Sequence, residues 1–310
     1  MIPSVDIVIV NWNAGEYLYE CVNSIKNSLH ESFILKSVVV VDNASSDNSL
    51  NGLDKIELPI KIIRNDANYG FGKACNLGAF SSDGDYILIL NPDTKLYEDS
   101  IHKPLRFLID NEKNKIGMVG VQIVDDEGKI SRNCARFPTP FKVAYQSIGL
   151  DKLCPKLFPP HFMLEWNHED SREVDQVMGS FIIMPRSLFT QLNGYDDLFF
   201  VYYDDLDLSL RAKKLGWKNY YYSEAKVYHK GGGTSDKIKA TRLFYSLESK
   251  LNYCKKHFSK IEYYIDAFLI LCVEPIVRIV FSFLSGSFSG AKETIAGYQK
   301  LYNKIFLNKR

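Results

Sequence analysis

Three short apolar runs, each stopping abruptly on a polar residue, constrain the fold of this chain more than any other feature. Residues 7–10 end at Asn11 and Asn13, residues 38–41 at Asp42 and Asn43, and residues 86–90 at Asn91, Pro92, Asp93 and Thr94. Runs without polar alternation read as strands covered on both faces, as in a parallel sheet. Helix-like stretches at 16–29, 47–53 and 71–80 accompany them. That alternation predicts an α/β fold, a doubly wound and mostly parallel sheet. A turn explains one polar strand end. Three on one rim predict a binding site, because ligands of such sheets sit beyond the strands' carboxyl ends.

Further strands are expected at 60–63, 116–124 and 177–184, the last containing Gly179. Asn68, Tyr69 and Gly70 make a turn before the 71–80 helix, and Gly70 and Gly72 suit close backbone approach to a ligand. Helices are expected at 99–111 and 204–215. Residues 134–170, rich in Pro, Phe and His, read as an irregular insertion. Asp204, Asp205 and Asp207 crowd the first turn of the 204–215 helix. Capping accounts for one or two of them, and a third carboxylate is free to face a cleft. His229, just before three glycines, is either a packing residue or a metal ligand if a carboxylate faces it.

The net charge of +1 argues against general nucleic-acid binding. Its distribution is uneven: residues 237–310 carry net +8 and the first 236 carry net −7. The six cysteines form no C-x-x-C pair and no zinc spacing, and apolar residues lead straight into the first strand. These features read as free thiols and a cytoplasmic location.

Asp93, a neutral imidazole and substrate phosphate oxygens together suit Mg²⁺ or Mn²⁺. A second carboxylate would serve as general base toward an incoming hydroxyl. This division of labour describes sugar transfer from a nucleotide diphosphate sugar. A pyrophosphorylase would want a basic, Gly-rich phosphate loop after the first strand, and NWNAGEYL has no Lys or Arg.

The segments VIVNWNAGEYLYECVNSI, VVVVDNASSDNS, NYGFGKACNLGA, LILNPDT, GSFIIMPRSLFTQLNGYDDLFFVYYDDLDLSLRAKKLGW and VYHKGGGTS occur in this order. Together they resemble the family 2 inverting glycosyltransferases of GT-A fold, especially bacterial rhamnosyltransferase-like members, over about residues 5–235. The resemblance implies a nucleotide site built from Asn11, Asp42, Asn68, Asn91 and Asp93, with Asp42 holding the nucleoside. It implies a metal on Asp93 and His229, Asn91 standing where the family's first acid is usual. Asp205 matches the catalytic base, and Gly179 and Asp204 fall at the acceptor site. The donor implied is dTDP-rhamnose, with a UDP-sugar as the alternative, and the acceptor a lipid-linked or polysaccharide glycan. A non-catalytic binding relative would have lost Asp93 or Asp205, and this chain keeps both.

Two domains are expected, a transferase domain at 1–236 and a helical, basic region at 237–310. Residues 261–284 are very apolar, but the uncharged stretch before Glu274 is only residues 267–273. That is short of the roughly 18 residues of a spanning helix. Pro275 is expected to start or kink a helix. An amphipathic segment on a basic tail suits peripheral contact with an anionic membrane at its inner face. Packing on the body or on a second subunit, as a homo-oligomer, explains the same pattern.

Overall fold

The computed structural model describes residues 2–231 and 239–307. The expected domain boundary at 236/237 and the glycines after Gly231 lie outside these residues. In chain order the elements are β1 (Ser4–Asn11), α1 (Glu16–Ser24), β2 (Ile34–Asp42), β3 (Ile60–Arg64), α2 (Phe71–Phe80), β4 (Tyr86–Leu90), β5 (Thr94–Leu96), α3 (His102–Asp110), β6 (Ile116–Val124), α4 (Pro140–Ser147), α5 (Leu150–Leu153), β7 (Arg172–Val174), β8 (Phe181–Pro185), α6 (Arg186–Gln191), α7 (Asp204–Lys214), β9 (Lys218–His229), α8 (Lys239–His257), α9 (Lys260–Phe268), α10 (Glu274–Leu284) and α11 (Phe288–Tyr302).

The chain divides into two compact units. Among the described residues the first holds 2–136, 162–197 and 204–231. All nine strands of its single sheet belong to it. Strands β3, β2, β1 and β4 lie side by side and parallel. β8 joins β4 antiparallel, β6 follows, and β9 runs parallel to β6. β5 and β7 pair antiparallel with β9. Six of the nine strands therefore point one way, giving the mostly parallel α/β sheet expected.

The uninterrupted apolar runs have a simple cause. Along β1, Ile7 and Ile9 enter one core layer, with Leu18 and Val22 of α1 and Leu105 of α3. Val8 and Val10 enter the other, with Ala74 and Ala79 of α2 and Leu208 of α7. Both faces are covered, so neither alternate position tolerates a polar side chain. Gly72 is closely packed: a Cβ there would lie 2.9 Å from Cβ of Tyr195.

Three expectations need correction. Residues 47–53 are not a helix but turns leading to a short 3₁₀ segment, Leu53–Lys55. Asp47 accepts hydrogen bonds from the Ser49 amide and hydroxyl, and such local bonding competes with helix formation. The 177–184 strand begins only at Phe181, because Met178–Ser180 close a turn through Phe181 N–H to Met178 C=O. The 134–170 insertion is partly helical, containing α4 and α5.

The second unit holds 137–161, 198–203 and 239–307 among the described residues, so it is not formed by the C-terminal region alone. Val143 of α4 joins Leu247 and Leu251 of α8, Ile270, and Tyr298 and Leu301 of α11 in its core. α9, a π-helical segment at Leu269–Val273 and α10 make one continuous helix, Lys260–Leu284. Pro275 sits in the first turn of α10, where its missing N–H does no harm. By length and composition these 25 residues are long and apolar enough to cross a membrane. The expectation of too short a segment stopped its count at Glu274. That carboxylate is buried and paired with Lys250 at 2.9 Å and Arg278 at 2.7 Å. Burial alone would raise the Glu274 carboxyl, but the two cations outweigh it and hold it down at about 2.

Candidate active site

The parallel register of β1 and β2 sets Asn11 beside Asp42. Asn11 Nδ2 donates to Asp42 Oδ1 at 2.7 Å and also to the hydroxyls of Ser45 and Ser49. Both residues are buried, and Asn11 Oδ1 has no partner. Asn43 Nδ2 continues the rim by donating to Gly70 C=O, and Gly70 N–H donates to Asn68 Oδ1. Asn68 is thus tied to this edge through Gly70, without direct hydrogen bonding to Asn11 or Asp42.

Asn91 and Asp93 follow β4 in the turn before β5, and both are half-buried. The antiparallel pairing of β5 with β9 sets Thr94 opposite His229. That register carries the neighbouring Asp93 to His229, with Nε2 to Oδ1 at 3.1 Å. Lys230 N–H adds a bond to Asp93 C=O. Residues 136 positions apart in sequence are therefore joined by three strand residues. His229 also borders a cavity of about 590 Å³ whose wall carries Lys129, Arg132 and Lys230. The sequence reading missed these cations, which lie in the polar stretch after β6 and just beyond β9. No group of three or more potential metal-binding His, Cys, Asp or Glu side chains occurs among the described residues.

The three acids opening α7 have separate fates. Asp207 is fully buried and bound to Arg211 at 2.7 Å. Arg211 in turn donates to the carbonyls of Leu192 and Gly194, so this pair clamps α7 to the preceding chain. Asp204 is 4% exposed; its Oδ1 accepts from Asp205 N–H and its Oδ2 has no partner. Its side chain is turned into the protein, whereas that of Asp205 is partly exposed. Burial, and then the charge of Asp205, push the Asp204 carboxyl upward.

Asp205 is the half-buried member. Its Oδ2 accepts from Gln176 Nε2 at 2.8 Å and Gly179 N–H at 3.0 Å, and its Oδ1 accepts from Leu206 N–H. Burial raises the carboxyl above the ordinary range, while these N–H groups pull the other way. Gly179 therefore tethers the carboxylate through its backbone. A Cβ there would make only ordinary contact, 3.5 Å from Asp205 Oδ2. Gln176 had no sequence signal; it reaches Asp205 because the 178–180 turn folds back over the start of α7.

The chain matches glycosyl transferase family 2 over residues 6–168, more than half its length, and it belongs to that family. It is a glycosyltransferase of GT-A fold. Its relatives include the N-acetylglucosaminyl-diphospho-decaprenol L-rhamnosyltransferase of Mycobacterium tuberculosis, 25% identical over 251 residues, which cover 76% of this chain and 79% of the relative. The rhamnosyltransferase WbbL of Escherichia coli K12 is 28% identical over 173 residues, 52% of this chain and 61% of that protein. Among solved structures, the mannosyltransferase PcManGT from Pyrobaculum calidifontis, in complex with GDP-Man and Mn²⁺, shares the fold. Its TM-score is 0.59 at 12% identity, over 100% of this chain and 89% of that one.

Proposed function

We propose that this glycosyltransferase is inverting and metal-dependent, and transfers L-rhamnose from dTDP-rhamnose to a lipid-linked or polysaccharide acceptor. The observation that carries the site assignment is the 3.1 Å approach of His229 Nε2 to Asp93 Oδ1. One carboxylate and one imidazole suit Mg²⁺ or Mn²⁺ whose remaining ligands are phosphate oxygens. A divalent cation held there supplies positive charge to the departing diphosphate. Two of the solved neighbours carry Mn²⁺, which supports the reading. The rhamnosyltransferase relatives support the sugar.

The chain's own residues divide the remaining work. Asp42, held by Asn11 Nδ2, offers its carboxylate to the N–H groups of a nucleobase. Asn68 and Asn91 complete the rim. Asp205 Oδ1 has one protein partner and keeps a lone pair for an acceptor hydroxyl. As Asp205 takes that proton, the acceptor oxygen bonds to the anomeric carbon from the face opposite the diphosphate. The bond to phosphate breaks, and the nucleoside diphosphate leaves with the electron pair.

A panel of nucleotide sugars with lipid-linked acceptor and Mg²⁺ or Mn²⁺ tests the donor by which nucleoside diphosphate is released. dTDP from dTDP-rhamnose is the expected product; release of UDP alone would move the assignment to a UDP-sugar.

Two further results are expected. His229→Ala should raise the metal concentration needed for half-maximal activity, and an unchanged metal titration would return His229 to a packing role. Gln176→Leu removes an N–H that favours charged Asp205. Since the base works deprotonated, activity falls as pH drops through its pKa. The variant's acid limb should therefore move to higher pH by about one unit, with kcat recovering on the alkaline plateau. Activity depressed equally at every pH would show a merely structural role.

A further inference from the structure

The helix Lys260–Leu284 is amphipathic with its polarity reversed. Beyond its exposed first turn, with Lys260 and Glu262, its acids face inward: Asp266 is 1% and Glu274 4% exposed, the latter bound to Lys250 of α8 and Arg278. Its outer face is apolar. Ile265, Phe268, Cys272, Ile276, Val280 and Phe283 are all exposed, Phe268 by 59% and Ile276 by 63%, and they recur in steps of three or four residues. That spacing places them on one face. Only 17% of the most apolar 18-residue stretch is buried, which distinguishes this helix from the core helix of a soluble domain.

We infer that this outer face embeds in the surface of an anionic lipid bilayer, with the helix lying in the plane of the leaflet. Charge complementarity selects this occupant. Lys255 and Lys260 are exposed at one end of the helix, and Lys292 and Lys300 on α11. They belong to a region of net +8. Anionic headgroups attract such residues, whereas a second copy would bring like charges together. The in-plane orientation follows from the inner face. Tyr298 and Tyr302 of α11 donate to the carbonyls of Ile270 and Leu271, which lie in the π-helical segment. With the Lys250–Glu274 pair, these bonds fasten the middle of the helix to its own unit. Crossing the bilayer would break them and leave Glu274 in hydrocarbon.

Flotation of the full-length protein with vesicles tests this. It should float with equal parts phosphatidylglycerol and phosphatidylcholine, less with phosphatidylcholine alone, and be released in part as salt rises. Phe268→Trp adds an indole where the chain has none, since its tryptophans are Trp12, Trp166 and Trp217. Its emission should shift to the blue on vesicles and be quenched by brominated acyl chains. Phe268→Lys with Ile276→Lys should weaken partitioning about tenfold or more, at unchanged circular dichroism and melting temperature. Failure to float with anionic vesicles, or emission from the Phe268→Trp variant that brominated lipid leaves unquenched, overturns the inference. So does a dimer in sedimentation equilibrium that the double lysine variant converts to monomer, which would assign the face to a second copy.

Discussion

Asp205→Asn is expected to lower kcat by about 10²–10⁴-fold, the range for loss of a positioned general base, while leaving donor affinity near that of the wild type. The amide cannot accept the acceptor's proton, yet it keeps the carboxylate's shape. Its oxygen can still receive the N–H groups of Gln176 and Gly179, which now hold Oδ2. The fold around the turn should therefore survive, which separates lost chemistry from lost structure. Release of nucleoside diphosphate measures turnover, and calorimetric titration of donor measures binding. The wild-type acid limb should lie above the ordinary carboxylate range, because burial raises this carboxyl and activity requires its charged form. Unchanged kcat in the variant would remove Asp205 from the proton transfer. Neighbouring Asp207 is a poor substitute, since Arg211 already occupies it.

Asp93→Ala is expected to reduce turnover by at least about 10²–10³-fold, as loss of preorganised charge at a leaving group does. Unlike Asp205→Asn, it should also weaken donor binding, and the metal's enhancement of that binding should disappear. Strand β4 is fixed by its pairing with β1 and β8, independently of this carboxylate. Thermal melting should accordingly change little. A variant that binds donor and metal as the wild type does would show that the 3.1 Å contact with His229 serves packing alone.

The sheet was largely legible because its signal is local. Residues 7–10, 38–41 and 86–90 fall within β1, β2 and β4, and α2 begins and ends at Phe71 and Phe80 as expected. Burial on both faces leaves an unbroken apolar run, and a strand's carboxyl end is marked wherever polar residues resume. Turn segments were less legible. In residues 47–53, side-chain hydrogen bonds to the backbone compete with helix formation, and composition does not show which wins. Residues 178–180 were read into a strand because the apolar run hides a turn made by Gly179 and Ser180.

What the sequence by itself determined was therefore the strand pattern and the residue types on the sheet's carboxyl edge. Their pairing was decided by tertiary structure. Asp93 meets His229 through the β5–β9 register, a contact across 136 residues that no local periodicity encodes. Residue type and spacing alone do not separate the three acids of α7, which only the family resemblance told apart. Packing made Asp207 a clamp for Arg211, turned Asp204 inward, and left Asp205 half-exposed with Gln176 and Gly179 on its carboxylate. The same holds for the apolar helix Lys260–Leu284. Its sequence carries both charges and hydrophobes, and only the partners Lys250 and Arg278 decide that Glu274 faces in and the apolar residues face out. The physical reason is common to all three cases. Local propensity depends on neighbours along the chain, whereas the cost of burying a charge depends on what meets it in space.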